Sequence, residues 1–183
     1  MQWVRRHPVL LSIGLFLIAF NVLYYFFSPR DIVAYVGVEN TYVVTFLVAA
    51  IGGLSTLTGA VLYTAIATFA AGGSMPWLLG ITGGLGIFIS DSIFFHLARI
   101  GREHVPDEWE PWVMKIQNII QRYPRRLVLL LAYLYLGFSP FPSDLLMITL
   151  ALGGYRYRTL APVLLAGSIT IAFLIAYFGN LWL

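Results

Sequence analysis

The chain reads Gly52-Gly53-Leu54-Ser55-Thr56-Leu57-Thr58-Gly59 at residues 52–59 and Gly137-Phe138-Ser139-Pro140-Phe141-Pro142-Ser143-Asp144 at residues 137–144. Each stretch interrupts an apolar segment, the first at 41–72 and the second at 127–153. An unbroken apolar run follows each segment, at 77–98 and at 160–183. Broken hydrophobic segments at corresponding places in two halves are typical of inverted-repeat transporters, whose substrate sites lie at the breaks. The sequence therefore predicts a membrane protein with its site at two polar breaks.

The composition also indicates a membrane protein. Of 183 residues, 60% are hydrophobic and 10% are charged, and the mean hydropathy is +0.84, outside the usual profile of soluble domains. The apolar run at 9–27 follows Arg5 and Arg6 and is about 28 Å long as a helix, so we expect a retained anchor helix. The absence of cysteine excludes disulfides, thiolate metal ligands and a cysteine nucleophile.

The distribution of positive charge distinguishes two topologies for the broken segments. Each segment could span the bilayer, or each could be a re-entrant hairpin that returns to its own side. With the N-terminus inside and two hairpins, ten of the eleven Lys and Arg residues lie inside and only Arg30 lies outside. With two spanning segments the split becomes four inside and seven outside. Because Lys and Arg concentrate in cytoplasmic loops, the sequence predicts hairpins.

The predicted fold class is an all-α polytopic membrane protein with three spanning helices and two re-entrant helical hairpins in an inverted repeat. We expect a single domain with the following order: an anchor helix at 9–27, a hairpin at 41–72, a span at 77–98, a cytoplasmic loop at 99–126, a hairpin at 127–153 and a span at 160–183. The expected location is the cell membrane, with a cytoplasmic N-terminus and an outside C-terminus.

The predicted loop and hairpin tips carry two further expectations. The loop is predicted to hold an amphipathic helix from Pro111 to Tyr123, which lies either on the inner membrane surface or under the bundle. The two hairpin tips are expected to meet near the middle of the bilayer, because non-helical backbone at that depth needs cover from protein or from a water-filled cavity.

Asp91 is the first candidate functional residue, since it lies about two turns inside the predicted span at 77–98. It shares a helical face with Gly80, Gly84 and Phe95, so the carboxylate is predicted to point into a helix contact rather than into lipid. An intramembrane carboxylate is costly and is a candidate proton carrier or polar gate. The alternative is a structural carboxylate that pairs with an arginine or with backbone N–H groups.

The breaks supply further candidates, Ser139, Pro140, Ser143 and Asp144 in the second and Ser55, Thr56 and Thr58 in the first. Prolines prevent a continuous helix, and the helix that restarts after them offers free N–H groups to an anion. In the alternative interpretation Ser143 or Asp144 only caps that helix. Glu39, at the mouth of the first hairpin, is a candidate outer contact for a proton or a cation.

Four arginines are candidates for binding lipid phosphate at the cytoplasmic face: Arg99, Arg102, Arg125 and Arg126. The guanidinium group suits phosphate, and basic clusters beside a membrane attract anionic lipid. The alternative is ordinary topology charge. The three histidines are scattered, so no metal site is predicted, and no catalytic motif indicates an enzyme.

The segment GLGIFISDSIFFHLARIG at 84–101 resembles the G-x-x-G-D-x-x-x-Y-x-x-G-R segment of the DedA/VTT-domain family, also called SNARE-associated Golgi proteins. LGFSPFP at 136–142, followed by Gly153, Gly154 and Gly167, is similar to the family's second hairpin and last span. Glu39-Asn40 resembles the acidic start of its first hairpin. The likeness extends from about Glu39 to Gly179.

This resemblance implies two inverted re-entrant hairpins and movement of lipid across the bilayer, undecaprenyl phosphate in bacterial members and phospholipids in eukaryotic ones. Two features of the chain differ from many bacterial members. They carry an arginine on each side of the second-hairpin proline, where this chain has Gly137 and Ser143. They also often carry an acid at the first tip, where this chain has Gly, Ser and Thr.

The expected function is therefore transport of a membrane lipid, a polyprenyl phosphate or a phospholipid, through a site at the hairpin tips. The alternatives are a small-ion or solute secondary transporter, an intramembrane enzyme and a structural membrane protein. No cofactor is expected, and proton coupling stays open. The expected partners are membrane lipids, including anionic headgroups; a homo-oligomer stays open, and no nucleic acid is expected.

Overall fold

A computed structural model describes residues 29–52, 56–102, 108, 110–139, 141 and 143–181. These residues form eight α-helices and no strand, which confirms the predicted all-helical class. The helices are α1 Pro29–Val36, α2 Val38–Gly52, α3 Thr56–Ala71, α4 Pro76–Arg102, α5 Glu110–Gln121, α6 Arg125–Phe138, α7 Ser143–Leu152 and α8 Tyr157–Asn180. The predicted anchor helix at 9–27 lies outside the described residues.

Two of these helices, α4 and α8, are long and apolar enough to cross a membrane. They contain 27 and 24 residues, or about 40 and 36 Å at 1.5 Å per residue. Helix α4 extends one turn beyond the predicted span at 77–98, to Arg102. Arg99 and Arg102 are thus helical residues and not part of a loop, and their charge lies at the carboxyl end of the helix dipole, where it is favourable.

The two broken segments form two pairs of shorter helices. The first pair, α2 and α3, has 15 and 16 residues, and the second pair, α6 and α7, has 14 and 10. Even the longest is about 24 Å long, less than a hydrocarbon core of about 30 Å. The short helix α1 was not predicted; Gly37, at a φ of +84°, separates it from α2, a conformation that glycine adopts without a steric penalty.

In each pair, a side-chain contact places the start of the first helix close to the residues that follow the second helix. In the first half, the hydroxyl oxygens of Thr41 and Ser74 lie 3.0 Å apart, so the start of α2 lies beside the residues that precede α4. In the second half, the guanidinium group of Arg125 donates a hydrogen bond to the hydroxyl of Thr159, so the start of α6 lies beside the start of α8. Both pairs are therefore antiparallel hairpins.

The two hairpins end in the same turn. Gly73 and Gly154 both have positive φ, +100° and +76°. The next residue donates a backbone hydrogen bond five residues back in each case, from Ser74 to Phe69 at 3.0 Å and from Tyr155 to Leu150 at 3.2 Å. This is the pattern of a Schellman cap. The chain thus contains two equivalent halves whose corresponding residues differ by 81 in number. We call the two opposite ends of the molecule the Ser74 end and the Tyr155 end.

The helices pack in a crossed pattern that respects this equivalence. Each first hairpin helix packs on the long helix of its own half, α2 on α4 and α6 on α8. Each second hairpin helix packs on the long helix of the other half, α3 on α8 and α7 on α4. Two separate hydrophobic clusters result, one around each hairpin. Leu79 and its equivalent Leu160 are both fully buried, the first residue in one cluster and the second in the other.

The two long helices contact each other most extensively, and glycine allows their close approach. A Cβ atom on Gly84 would lie 2.6 Å from the Cα of Ile169, and one on Gly80 would lie 2.9 Å from the Cα of Phe173. These backbone contacts confirm that the glycines predicted on the Asp91 face of α4 serve helix packing.

Candidate functional site

Asp91 lies between the long helix α4 and the start of α7. Its side chain is 1% exposed, and its Oδ1 accepts a hydrogen bond of 2.7 Å from the hydroxyl of Ser143. Its Oδ2 is also buried and has no hydrogen-bond partner among the described residues. A buried polar atom without a partner is costly, so Oδ2 is a vacant acceptor that a proton, a cation or a ligand hydroxyl could satisfy.

The proline-containing break places Ser143 at this carboxylate. Helix α6 ends at Phe138, where the N–H of Ser139 still donates to the carbonyl of Tyr135 at 3.1 Å. The hydroxyl of Ser139 then accepts a bond of 3.2 Å from the N–H of Phe141. The two prolines at 140 and 142 cannot donate the next backbone bonds, and α7 begins at Ser143. Ser143 therefore lies in the first turn of a new helix and directs its hydroxyl to Asp91.

Three further ionisable groups, Asp144, Tyr63 and Tyr135, are within electrostatic range of the pair. The negative charge of Asp144 acts on Asp91 and on both tyrosine hydroxyls, and the charge of Asp91 acts on Tyr63. Because Tyr63 belongs to α3, the first hairpin also contributes a group within this range. The cluster thus draws on both hairpins and on α4. We call it the Asp91 cluster, consisting of Tyr63, Asp91, Tyr135, Ser143 and Asp144.

The Asp91–Ser143 pair has no polar counterpart at the equivalent positions of the repeat. The residues equivalent to Asp91 and Ser143 are Ala172 and Leu62, which are buried in the hydrophobic cluster of the first hairpin. The same position in the fold is therefore filled well by apolar side chains. The fold therefore does not require a carboxylate and a hydroxyl at these positions.

Several predicted site residues lie elsewhere. Glu39 is exposed in the first turn of α2, at the Ser74 end, whereas the break that follows α2 is at its other end. Ser55 lies outside the described residues, as do Pro140 and the side chains of Thr56 and Thr58. Because residues 53–55 of the first tip and Pro140 of the second lie outside the described residues, the meeting of the two hairpin tips stays a prediction.

The predicted arginines form a separate basic surface at the Tyr155 end. Arg102 donates a hydrogen bond of 2.9 Å to the side chain of Gln117 on α5. Arg99 follows Asp91 by eight residues along α4, or about 12 Å, so it lies well away from the buried pair. Arg125 and Arg126 occupy the first turn of α6 and are exposed. The candidates thus divide into one buried polar cluster and one exposed basic surface.

Two members of the Asp91 cluster, Tyr63 and Tyr135, were missed in the sequence, although a signal for Tyr63 existed. When the two halves of the sequence are aligned on the Gly-Gly turns at 72–73 and 153–154, Tyr63 occupies the position equivalent to that of Asp144. Within the described ranges, no three side chains among His, Cys, Asp and Glu are close enough together to hold a metal ion.

Comparisons with protein-family models, with curated proteins and with solved structures give no match to this chain.

Proposed function

We propose that this protein transports a membrane lipid, a polyprenyl phosphate or a phospholipid, past the Asp91 cluster. The observation that carries the proposal is the buried Asp91 carboxylate, hydrogen-bonded to Ser143 at the helix break and with Oδ2 free of any described partner. Intramembrane carboxylates and broken helices are typical of transport pathways. The resemblance to the DedA/VTT-domain family supports lipid as the substrate class.

The proposed membrane arrangement has α4, α8 and the 9–27 run as spans and the α2–α3 and α6–α7 pairs as re-entrant hairpins. Two features support it: the hairpin helices are too short to cross a hydrocarbon core, and each pair begins beside the place where it ends. The basic residues favour the Tyr155 end as cytoplasmic, since six arginines lie there: Arg99, Arg102, Arg125, Arg126, Arg156 and Arg158.

Cysteine labelling tests this arrangement, and the chain has no native cysteine to interfere. Lys115→Cys and Arg156→Cys should react with a membrane-impermeant maleimide only from the cytoplasm, and Asn40→Cys and Met75→Cys only from outside. All four positions are exposed, whereas Ser74 is 1% exposed and would label poorly. Labelling of residue 115 from outside would contradict the hairpin topology.

Fluorescent lipid in liposomes that contain the pure protein tests the transport function. Dithionite bleaches a headgroup fluorophore only in the outer leaflet, unless lipid moves across the membrane during the assay. We expect the protein to bring the inner-leaflet fluorophore within reach of dithionite. Liposomes whose inner-leaflet fluorescence survives, with folded protein present, would contradict the proposed function.

Transport of a small cation or a proton is a second candidate, because a vacant buried carboxylate oxygen also suits a cation. The same liposomes distinguish the two candidates if they carry a pH-sensitive dye. Dissipation of a proton gradient without movement of lipid would favour the ion transporter.

A further inference from the structure

A groove runs along the side of α4 at the Tyr155 end, away from the Asp91 cluster. One part is a cavity of about 380 Å³ with a mainly apolar lining that includes Phe88, Ile89, Ile93 and Leu97. The adjoining part is a cavity of about 450 Å³ whose lining includes Arg99, Arg156 and Arg158. His96 and Tyr157 line both cavities. We call the whole feature the His96–Tyr157 groove; it is apolar along one half and cationic at the other.

The floor of this groove is held in place by hydrogen bonds and ring contacts. The hydroxyl oxygens of Tyr157 and Ser92 lie 2.8 Å apart, which ties the start of α8 to α4. The rings of His96 and Tyr157 have centroids 4.6 Å apart, and Nδ1 of His96 lies 2.7 Å from the carbonyl oxygen of Ser92. The boundary between the apolar and the cationic half is therefore ordered before any ligand binds.

The cationic half carries positive charge that the described protein leaves uncompensated. Arg99, Arg156 and Arg158 are exposed, and none of the three pairs with an acidic side chain among the described residues. At the opposite end of the repeat, the residues equivalent to Arg156 and Arg158 are Met75 and Trp77, which are also exposed. The fold is thus compatible with uncharged side chains at these positions, and the arginines are not required for packing.

The dimensions of the groove match one leaflet of a membrane. From Ile89 to Ile100, α4 rises about 16 Å, close to half of a hydrocarbon core of about 30 Å. The exposed apolar side chains of Ile89, Ile93 and Leu97 follow one another along this length, and the arginines lie at its end. A ligand that fills both halves must be apolar over about one leaflet and anionic at the headgroup level.

We propose that the His96–Tyr157 groove binds one anionic phospholipid of the cytoplasmic leaflet, with its phosphate between Arg99, Arg156 and Arg158 and an acyl chain along the apolar half. Arginine suits phosphate because its planar guanidinium group can donate two parallel hydrogen bonds. The site rests on the membrane placement proposed above but not on lipid transport.

Native mass spectrometry of the detergent-solubilised protein tests this site without a transport assay. The probes are phosphatidylglycerol and phosphatidylcholine with the same acyl chains. We expect the first bound lipid to be phosphatidylglycerol in preference to phosphatidylcholine. The double substitution Arg99→Gln/Arg158→Gln should weaken that first binding step by at least about tenfold, since each cation at a membrane surface contributes on the order of a factor of five.

The control is Lys115→Gln/Arg122→Gln, which removes the same charge from exposed positions outside the groove and should retain the preference. Ile93→Trp should also reduce binding, because it fills the apolar half without a change in charge. Equal loss in the control would show a general surface attraction and overturn the proposal, as would equal binding of the two lipids by the wild-type protein. Competition by glycerol 3-phosphate as strong as that by the lipid would overturn the assignment of a lipid.

Discussion

Asp91→Asn is expected to abolish lipid transport and to leave the unfolding temperature nearly unchanged. The amide has the same shape as the carboxylate, and its oxygen can still accept the bond that Ser143 donates at 2.7 Å. What it loses is the negative charge and the vacant acceptor at Oδ2. Transport is measured by dithionite bleaching in liposomes, and stability by thermal unfolding of the same preparation.

The alternative, a purely structural role, predicts the opposite result for this variant. Loss of a buried ionic partner costs on the order of 3 kcal/mol, so thermal stability would fall. Among the described residues, however, the partner is the hydroxyl of Ser143 and not an arginine. Ser90→Ala is a suitable control, because Ser90 is the preceding residue and its buried hydroxyl also has no described partner. That variant should keep both activity and stability. A folded and fully active Asp91→Asn protein would remove Asp91 from the mechanism.

Gly84→Ala is expected to destabilise the protein by about 1–3 kcal/mol, the usual cost of overpacking a close contact. The added methyl group would lie 2.6 Å from the Cα of Ile169. Since this neighbour is backbone, it cannot rotate away, and the long helices α4 and α8 must separate. The shift in unfolding temperature in detergent measures the effect.

Gly101→Ala provides a matched control in the same helix. No atom lies within 4 Å of the position that its Cβ would occupy, and alanine favours a helix by up to about 1 kcal/mol relative to glycine. This variant should therefore be neutral or more stable. If both variants had the same effect on stability, the close contact between α4 and α8 would not be important for the fold.

The breaks and the long apolar helices could be predicted because their signals are local. Proline and glycine clusters end helices through backbone chemistry alone, and 20 or more apolar residues indicate a span by length. Asp91 was also visible, because a carboxylate within an apolar run is exceptional. The helix α1 was missed, since its eight residues include Pro29, Arg30 and Asp31 and lack an extended apolar pattern.

The contacts within the site could not be predicted, because they join residues far apart in the chain. Ser143 and Asp91 are separated by 52 positions, and Tyr63, which is within electrostatic range of Asp91, belongs to a third helix. The sequence indicated the helix break and the acid separately, but only the crossed packing of α7 on α4 brings them together. Similarly, His96 looked isolated until the start of α8 placed Tyr157 beside it.

The central claim is that a lipid headgroup passes the Asp91–Ser143 pair, and photo-crosslinking of wild-type protein in liposomes tests it most directly. The probe is a phospholipid with a photoreactive group on its headgroup, and mass spectrometry maps the modified residues. We predict adducts within one turn of Ser143 and none on its equivalent, Leu62 itself, which is 2% exposed in an apolar cluster. Equal modification at both positions, or none near Ser143 while lipid is being transported, would contradict the account.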